Sequence, residues 1–230
     1  MAVDLNADVG EGFADDDRLL DVVTSANVAC GFHAGTPETM RMVCAAAASR
    51  GVAVGAHPSY RDREGFGRRD LDVPPDALRA DVAEQLATLT EIASGEGAEV
   101  TYVKPHGALY TRAIADGEVA RAIVDATFEY GLAMLAWPGS ELFEHACAAG
   151  LKAFAEGFAD RGYANGGLVP RDQPGALLAA AEAAPQAVAL ARAGRVRSIC
   201  VHGDSRGAAD LAAQVRDALT TAGFTVRRFA

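Results

Sequence analysis

One stretch near the start of the chain, Val3 to Glu11, constrains the fold more than any other. It reads V-D-L-N-A-D-V-G-E, with Val3, Leu5, Ala7 and Val9 alternating with Asp4, Asn6 and Asp8. A period of two sends the two sets to opposite faces of a β-strand. Asp and Asn are depleted in strands, so a solvated face is a poor account of three in alternation. A barrel strand fits better, its polar face lining an interior and its apolar face meeting helices. Glu11 then falls just past the strand's C-terminal end, where barrel enzymes carry their chemistry. An EF-hand loop is excluded, because Val9 stands where its glycine is required. A dinucleotide loop is excluded too, because Asp15 replaces the third glycine of G-x-G-x-x-G.

The rest of the chain alternates apolar strand patterns with helical ones. Strands are expected at Val3–Val9, Ala26–Cys30, Val52–Ala56, Val100–Val103, Leu132–Ala136, Leu151–Ala155 and Arg197–Val201, with a weaker eighth at Phe224–Phe229. Helices are expected near Asp15–Thr24, Pro37–Arg50, Pro75–Ser94, Gly117–Tyr130, Glu141–Ala149, Gly175–Ala193 and Arg206–Ala222. Thr36 before Pro37 has the form of an N-cap followed by a first-turn proline. Such alternation implies parallel strands joined by right-handed crossovers. Central strands of an open parallel sheet are usually apolar on both faces; the polar first strand favours a closed, irregular barrel. No linker or repeat divides the chain, so residues 1–230 are expected to form a single domain, a usual length for an α/β barrel.

The formal charge of −10 argues against nucleic acid and anionic membrane as partners. No apolar run approaches a membrane span, and a strand pattern begins almost at once, so a cytoplasmic protein is expected. Cys30, Cys44, Cys147 and Cys200 show no C-x-x-C pair or zinc-finger spacing, and buried free thiols are expected.

Chemistry concentrates at strand ends. Of five histidines, His33, His57, His106 and His202 each follow a strand, whereas His145 falls mid-helix. In a barrel those four converge on one mouth with Asp8, Glu11 and Asp204. Lys104, one of only two lysines, also ends a strand; it could stabilise a developing oxyanion or simply pair with Asp4 or Asp8. Asp8, His57, Lys104 and His202 are the candidate catalytic residues. Asp8, His57 and His202 also form a candidate divalent-metal set, although no helical H-x-x-x-H spacing supports it. Neither a phosphate loop nor a G-x-S-x-G elbow is present. Cys30 is a weak nucleophile candidate, better explained by packing. Two long post-strand loops, Pro58–Pro74 and Asp160–Pro174, are expected to be functional.

The stretches D-L-N-A-D-V-G-E-G-F (4–13), N-V-A-C-G-F-H-A-G (27–35), G-A-H-P-S-Y (55–60), G-F-G-R-R (65–69), V-K-P-H-G-A-L-Y (103–110), E-G-F-A-D-R-G-Y (156–163) and V-H-G-D (201–204) together resemble the LamB/YcsF family, the A subunits of bacterial ATP-dependent 5-oxoprolinase. That resemblance implies an irregular TIM-like (β/α)7 barrel related to polysaccharide deacetylase barrels. It also implies opening of the 5-oxoproline lactam to glutamate with ATP as co-substrate, handled with B and C partner subunits. Candidate substrate-binding residues within the shared stretches are Asn6, Glu11, Asn27, His33, Arg68, His106, Tyr110 and Asp160. Two rival readings remain: a metal-dependent amide or ester deacetylase, and a non-catalytic binding subunit.

Overall fold

The alternating first strand is β1 (Ala2–Val9), buried from Val3 onward. The computed structural model describes residues 1–164, 166–204 and 207–230. Beside β1 runs β2 (Ser25–Ala29), followed by β3 (Ala53–His57), β4 (Val100–Val103), β5 (Ala133–Ala136) and β6 (Ala153–Phe158). A two-residue hairpin, β7 (Tyr163–Ala164) with β8 (Gly167–Leu168), stands in the second long loop. Then β9 (Ser198–Val201) pairs with β6 on one side and with β1 on the other. Among the described residues, seven parallel strands therefore close into a barrel in the order β1, β2, β3, β4, β5, β6, β9. Helices cover its outside, and among the described residues no helix is long and apolar enough to cross a membrane.

The outward set of strand residues, including Leu5, Ala7, Val9, Val28, Val54, Met134 and Ile199, packs with helix residues into one apolar layer. Helix α1 (Asp16–Leu20) is short. Helix α2 (Pro37–Arg50) starts as its cap predicts, with Thr36 Oγ1 accepting from Thr39 N at 3.1 Å. Helices α3 (Pro75–Gly95), α4 (Gly107–Ala113), α5 (Gly117–Glu129), α6 (Glu141–Ala148), α7 (Ala180–Ala193) and α8 (Ala208–Thr221) complete the layer. A second, smaller cluster lies inside the lower barrel: Ala53, Tyr102, Ala133 and Leu135, closed off by Phe154 and Phe229. Phe229 stacks at a tilt against Tyr102 and Phe154, with centroids 4.9 and 4.7 Å away.

Five expectations need correction. The sixth strand is not Leu151–Ala155 but runs on to Phe158, because parallel pairing with β9 continues to Phe158 opposite Cys200. The weaker eighth strand shrinks to β10 (Thr225–Val226), which pairs with the start of β1 rather than joining the closed barrel. The helix expected near Gly175 begins at Ala180, after the loop returns to bridge Arg161 and Leu177. Helix α4 had no expected counterpart. Cys30, Cys44 and Cys200 are buried as expected, but Cys147 is exposed.

Gly55 has a close-packing role. Its register partner on the neighbouring strand β4 is Tyr102, and a Cβ at Gly55 would overlap the Tyr102 ring. Overpacking a rigid core costs about 1–3 kcal/mol. Gly55→Ala should therefore lower the stability of the chain by that order in urea unfolding; an unchanged midpoint would contradict the packing.

Candidate active site

The inward faces of the strands stack polar side chains in layers from floor to mouth. At the floor, Asp4 is held by three hydroxyls: Thr24 at 2.7 Å, Ser25 at 2.6 Å, and Ser198. Burial raises its pKa to about 6. One layer up, Asn6 Nδ2 donates to Ser198 Oγ at 2.7 Å and to Glu156 Oε1 at 3.1 Å. Asn27 Nδ2 joins this layer to the next, donating to Asn6 Oδ1 at 2.7 Å and to Asp8 Oδ1 at 2.8 Å. Tyr102 Oη donates to Asn27 Oδ1 at 2.7 Å. Asn6 and Asn27 are thus fully buried beneath the mouth and orient the groups above them.

The third layer is charged. Lys104 Nζ lies 2.8 Å from Asp8 Oδ1, 3.3 Å from Glu156 Oε1 and 3.0 Å from Cys200 Sγ. Burial alone would neutralise this lysine, but Asp8, Cys200 and Glu156 hold its pKa well above the ordinary value. Burial likewise favours a neutral Asp8, yet Lys104 and His57 pull its carboxyl well below the usual range. Glu156 is shifted the other way, upward, because burial outweighs its share of Lys104. Among the described residues, its Oε2 and the Tyr110 hydroxyl make no well-formed hydrogen bond, although both are buried and the two side chains lie close to each other. Such atoms suit a bound polar group.

Three histidines and Glu11 form the upper layer. Glu11 Oε1 accepts from His33 Nε2 at 3.0 Å and lies 3.3 Å from His106 Nδ1 and 3.9 Å from His57 Nε2. His57 Nε2 is 3.4 Å from Asp8 Oδ1. His33 and His106 stack with centroids 3.8 Å apart. Phe66, from the first long loop, lies edge-on to both rings and carries a left-handed φ of 55°. Backbone strain of this kind gathers at functional sites. Gly67 beside it lets the loop approach, since a Cβ there would stand 2.7 Å from His106 Cδ2. Burial depresses the His33 pKa to about 3 and lowers that of His106. Burial opposes ionisation of Glu11, but its contacts with the His106 and His33 rings leave its pKa low.

On the other side of the mouth, Asp160 fixes His202. Its Oδ1 lies 2.9 Å from His202 Nδ1, and its Oδ2 accepts the His202 backbone N–H at 3.0 Å. His202 Nδ1 is thereby committed, and Nε2 is left as the working nitrogen. Above this pair Asp204 joins two loops, bonding Arg68 from the first and Arg171 Nη1 from the second, the latter at 2.7 Å.

The structure divides the expected metal trio of Asp8, His57 and His202. Donor atoms gather instead as Glu11–His33–His106, Asp8–Glu11–His57 and Asp8–Cys200–His202. Asp8 is common to the last two, with His57 in one and His202 in the other, and Asp160 holds His202 Nδ1. Lys104 pairs with Asp8 but not with Asp4, whose partners are hydroxyls. Cys30 donates to Val28 O at 3.2 Å, and burial raises its thiol to about 12, as packing implies. Glu156, Cys200 and Arg171 belong to the constellation and were not among the sequence candidates. The alternation Phe154-Glu156-Phe158 could have marked Glu156, had the sixth strand been carried three residues further.

The LamB/YcsF family model matches residues 3–230. This chain belongs to the LamB/YcsF family. It is 51% identical to a Streptomyces coelicolor protein named as the A subunit of 5-oxoprolinase, covering 99% of this chain and 100% of that protein. It is 47% identical to the protein of the same name from Nocardia farcinica, over the full length of both. Among solved structures, the lactam utilization protein of Thermus thermophilus superposes with a TM-score of 0.93 at 39% identity, over all of both chains. A family 4 carbohydrate esterase from Streptomyces lividans shares the fold, with a TM-score of 0.57 at 13% identity over all of this chain and 93% of that one. The irregular barrel implied by the family motifs is the barrel found, and the carbohydrate esterase has the same fold.

His33 gives this site a pH signature. A neutral ring in the folded state and an ordinary pKa near 6.5 in the unfolded one mean the unfolded chain binds the extra proton between those values. Stability from this residue is complete above about pH 6.5 and falls as pH drops toward 3, by up to about 1.4 kcal/mol per unit. Urea melts at pH 7, 6 and 5 should show a shallower decline for His33→Gln than for the parent; parallel declines would remove His33 as the cause.

Proposed function

We propose that the chain is the A subunit of an ATP-dependent 5-oxoprolinase, opening the lactam of 5-oxoproline to glutamate together with B and C partner subunits. The observation that carries this reading is identity near 50%, over whole chains, to proteins named as the A subunit of 5-oxoprolinase. The site chemistry supports it. A five-membered lactam is a stable amide, and its opening needs a general base, a donor for the oxyanion and an acid for the departing nitrogen. Phosphorylation of the amide oxygen would make the ring carbon a better electrophile. In the balanced reaction ATP gives up its γ-phosphoryl group to the amide oxygen and leaves as ADP. One water adds to the ring carbon as the C–N bond breaks and the nitrogen departs as the amine. A second water hydrolyses the resulting acyl phosphate to glutamate and phosphate.

Each need has a candidate in this mouth. Arg68 and Arg171, which share the single carboxylate of Asp204, are placed to take the substrate carboxylate or a phosphoryl group. Lys104, a buried cation, faces the oxyanion that forms on attack. Asp8, beside Lys104 and His57, orients both. His202, oriented by Asp160, takes a proton from water or returns one to the ring nitrogen. Tyr110 Oη and Glu156 Oε2, neither in a well-formed hydrogen bond, can hold the lactam N–H and carbonyl edge. So many buried ionisable groups are costly in a merely binding protein. ATP activation is assigned to the partners, since this chain has no phosphate loop.

Two measurements test this. In the reconstituted complex, Lys104→Met should lower kcat by about a hundredfold or more, the scale for losing one oxyanion donor. A rise in KM alone would make Lys104 a binding residue. A lower melting temperature with normal turnover would make it only a structural partner of Asp8. The chain without partners should show negligible ATPase activity with 5-oxoproline present; stoichiometric turnover by the chain alone would refute the division of labour.

A further inference from the structure

We propose that the mouth of the barrel is a divalent-metal site, held by His57 Nε2 and His106 Nδ1 with the carboxylates of Glu11 and Asp8. The protons on the two rings are dictated by what their far sides touch. His57 Nδ1 lies 2.7 Å from Lys104 O, and His106 Nε2 lies 2.9 Å from Phe66 O. A carbonyl only accepts, so both of those nitrogens carry hydrogen. The remaining nitrogens, His57 Nε2 and His106 Nδ1, are then bare lone pairs, and they face each other at 3.1 Å. Glu11 Oε1 stands 3.3 Å from His106 Nδ1 and 3.9 Å from His57 Nε2, and Asp8 Oδ1 stands 3.4 Å from His57 Nε2. Four electron-rich atoms thus converge, none of them carrying a hydrogen toward the others, and all four side chains are buried.

Such a cluster requires a cation, either an added proton on one ring or a metal ion. A proton could bridge only one pair of these atoms, the two facing ring nitrogens at 3.1 Å, whereas one ion can bind all four. The spacing suits an ion. Two ring nitrogens on a tetrahedral centre, at about 2.0–2.1 Å each, stand roughly 3.3 Å apart. The outer contacts suit it as well. Each ring donates its far N–H to a backbone carbonyl, and Glu11 is steadied by His33, the supports that fix metal ligands elsewhere. Asp8 Oδ1 is already taken by Lys104 and Asn27, whereas its Oδ2 makes no hydrogen bond among the described residues. Imidazole and carboxylate donors favour zinc, manganese, iron or nickel over calcium. What the ion does rests on the lactam-hydrolase reading: bound there, it supplies a Lewis acid for a carbonyl or phosphoryl oxygen.

The test uses the full-length chain, stripped with a chelator and titrated with Co2+ as the probe. One ion per chain is expected, with visible absorption bands and a raised melting temperature. His57→Ala and His106→Ala should each weaken cobalt affinity by roughly a hundredfold or more. His145→Gln, on outer helix α6, should leave it unchanged. If the histidine variants do not fold by circular dichroism, Glu11→Gln, which keeps the side-chain volume, serves in their place with the same expected loss. Absence of stoichiometric binding to the parent chain overturns the proposal, as does binding that survives these changes. Cobalt binding needs no substrate. Binding without glutamate formation in the reconstituted complex would therefore sink the oxoprolinase reading alone, and turnover by a chain that binds no ion would sink the metal site alone.

Discussion

A lysine ammonium sealed inside a barrel has to be answered by carboxylates, and the interior of this protein is arranged around that requirement. Desolvating a charge costs several kcal/mol unless it is paired and hydrogen-bonded. Lys104 meets Asp8 and Glu156. Those carboxylates in turn need donors, which Asn27 and Asn6 supply from the layer beneath. Asn6 and Asp4 then share Ser198. The polar column from floor to mouth is therefore one connected network, and loss of a single member would leave a buried group unpaired.

The same network explains the division of labour along the barrel axis. At the floor, hydroxyls hold Asp4 without any cation nearby, and the aromatic plug of Phe229 excludes solvent. Toward the mouth, donors give way to groups whose charge can change. The His33–His106–Phe66 stack walls one side, and the Asp160–His202 pair walls the other. Ionisable groups thus sit over a hydrogen-bonded floor, on strand ends whose register the barrel closure holds fixed. Such preorganisation is what electrostatic catalysis demands.

The two long loops complete the mouth from opposite sides. The first is latched to itself by Asp62, whose carboxylate accepts from Gly65 N and Arg69 N, each at 3.0 Å. It delivers Phe66 over the histidines and Arg68 toward Asp204. The second turns through the β7–β8 hairpin and brings Arg171 to the same carboxylate. Asp204 therefore ties the two loops together.

Much of this was legible in the sequence, because strand periodicity is a local property. The alternation of Val3–Val9 marked β1 as polar inside and apolar outside, and histidines after successive strands had to meet wherever the strands closed. The Thr36-Pro37 cap and the glycine ending α2 were equally local. What only the tertiary structure decided was partnership. No spacing reveals that Asp160, rather than Asp8, holds His202, since the pair is made by β6 and β9 becoming neighbours in the closed barrel. Glu156 stayed hidden because its strand is lengthened by pairing with β9 and not by its own propensity. The opposed lone pairs of His57 and His106 exist only because Lys104 O and Phe66 O, distant in sequence, dictate where each ring carries its proton.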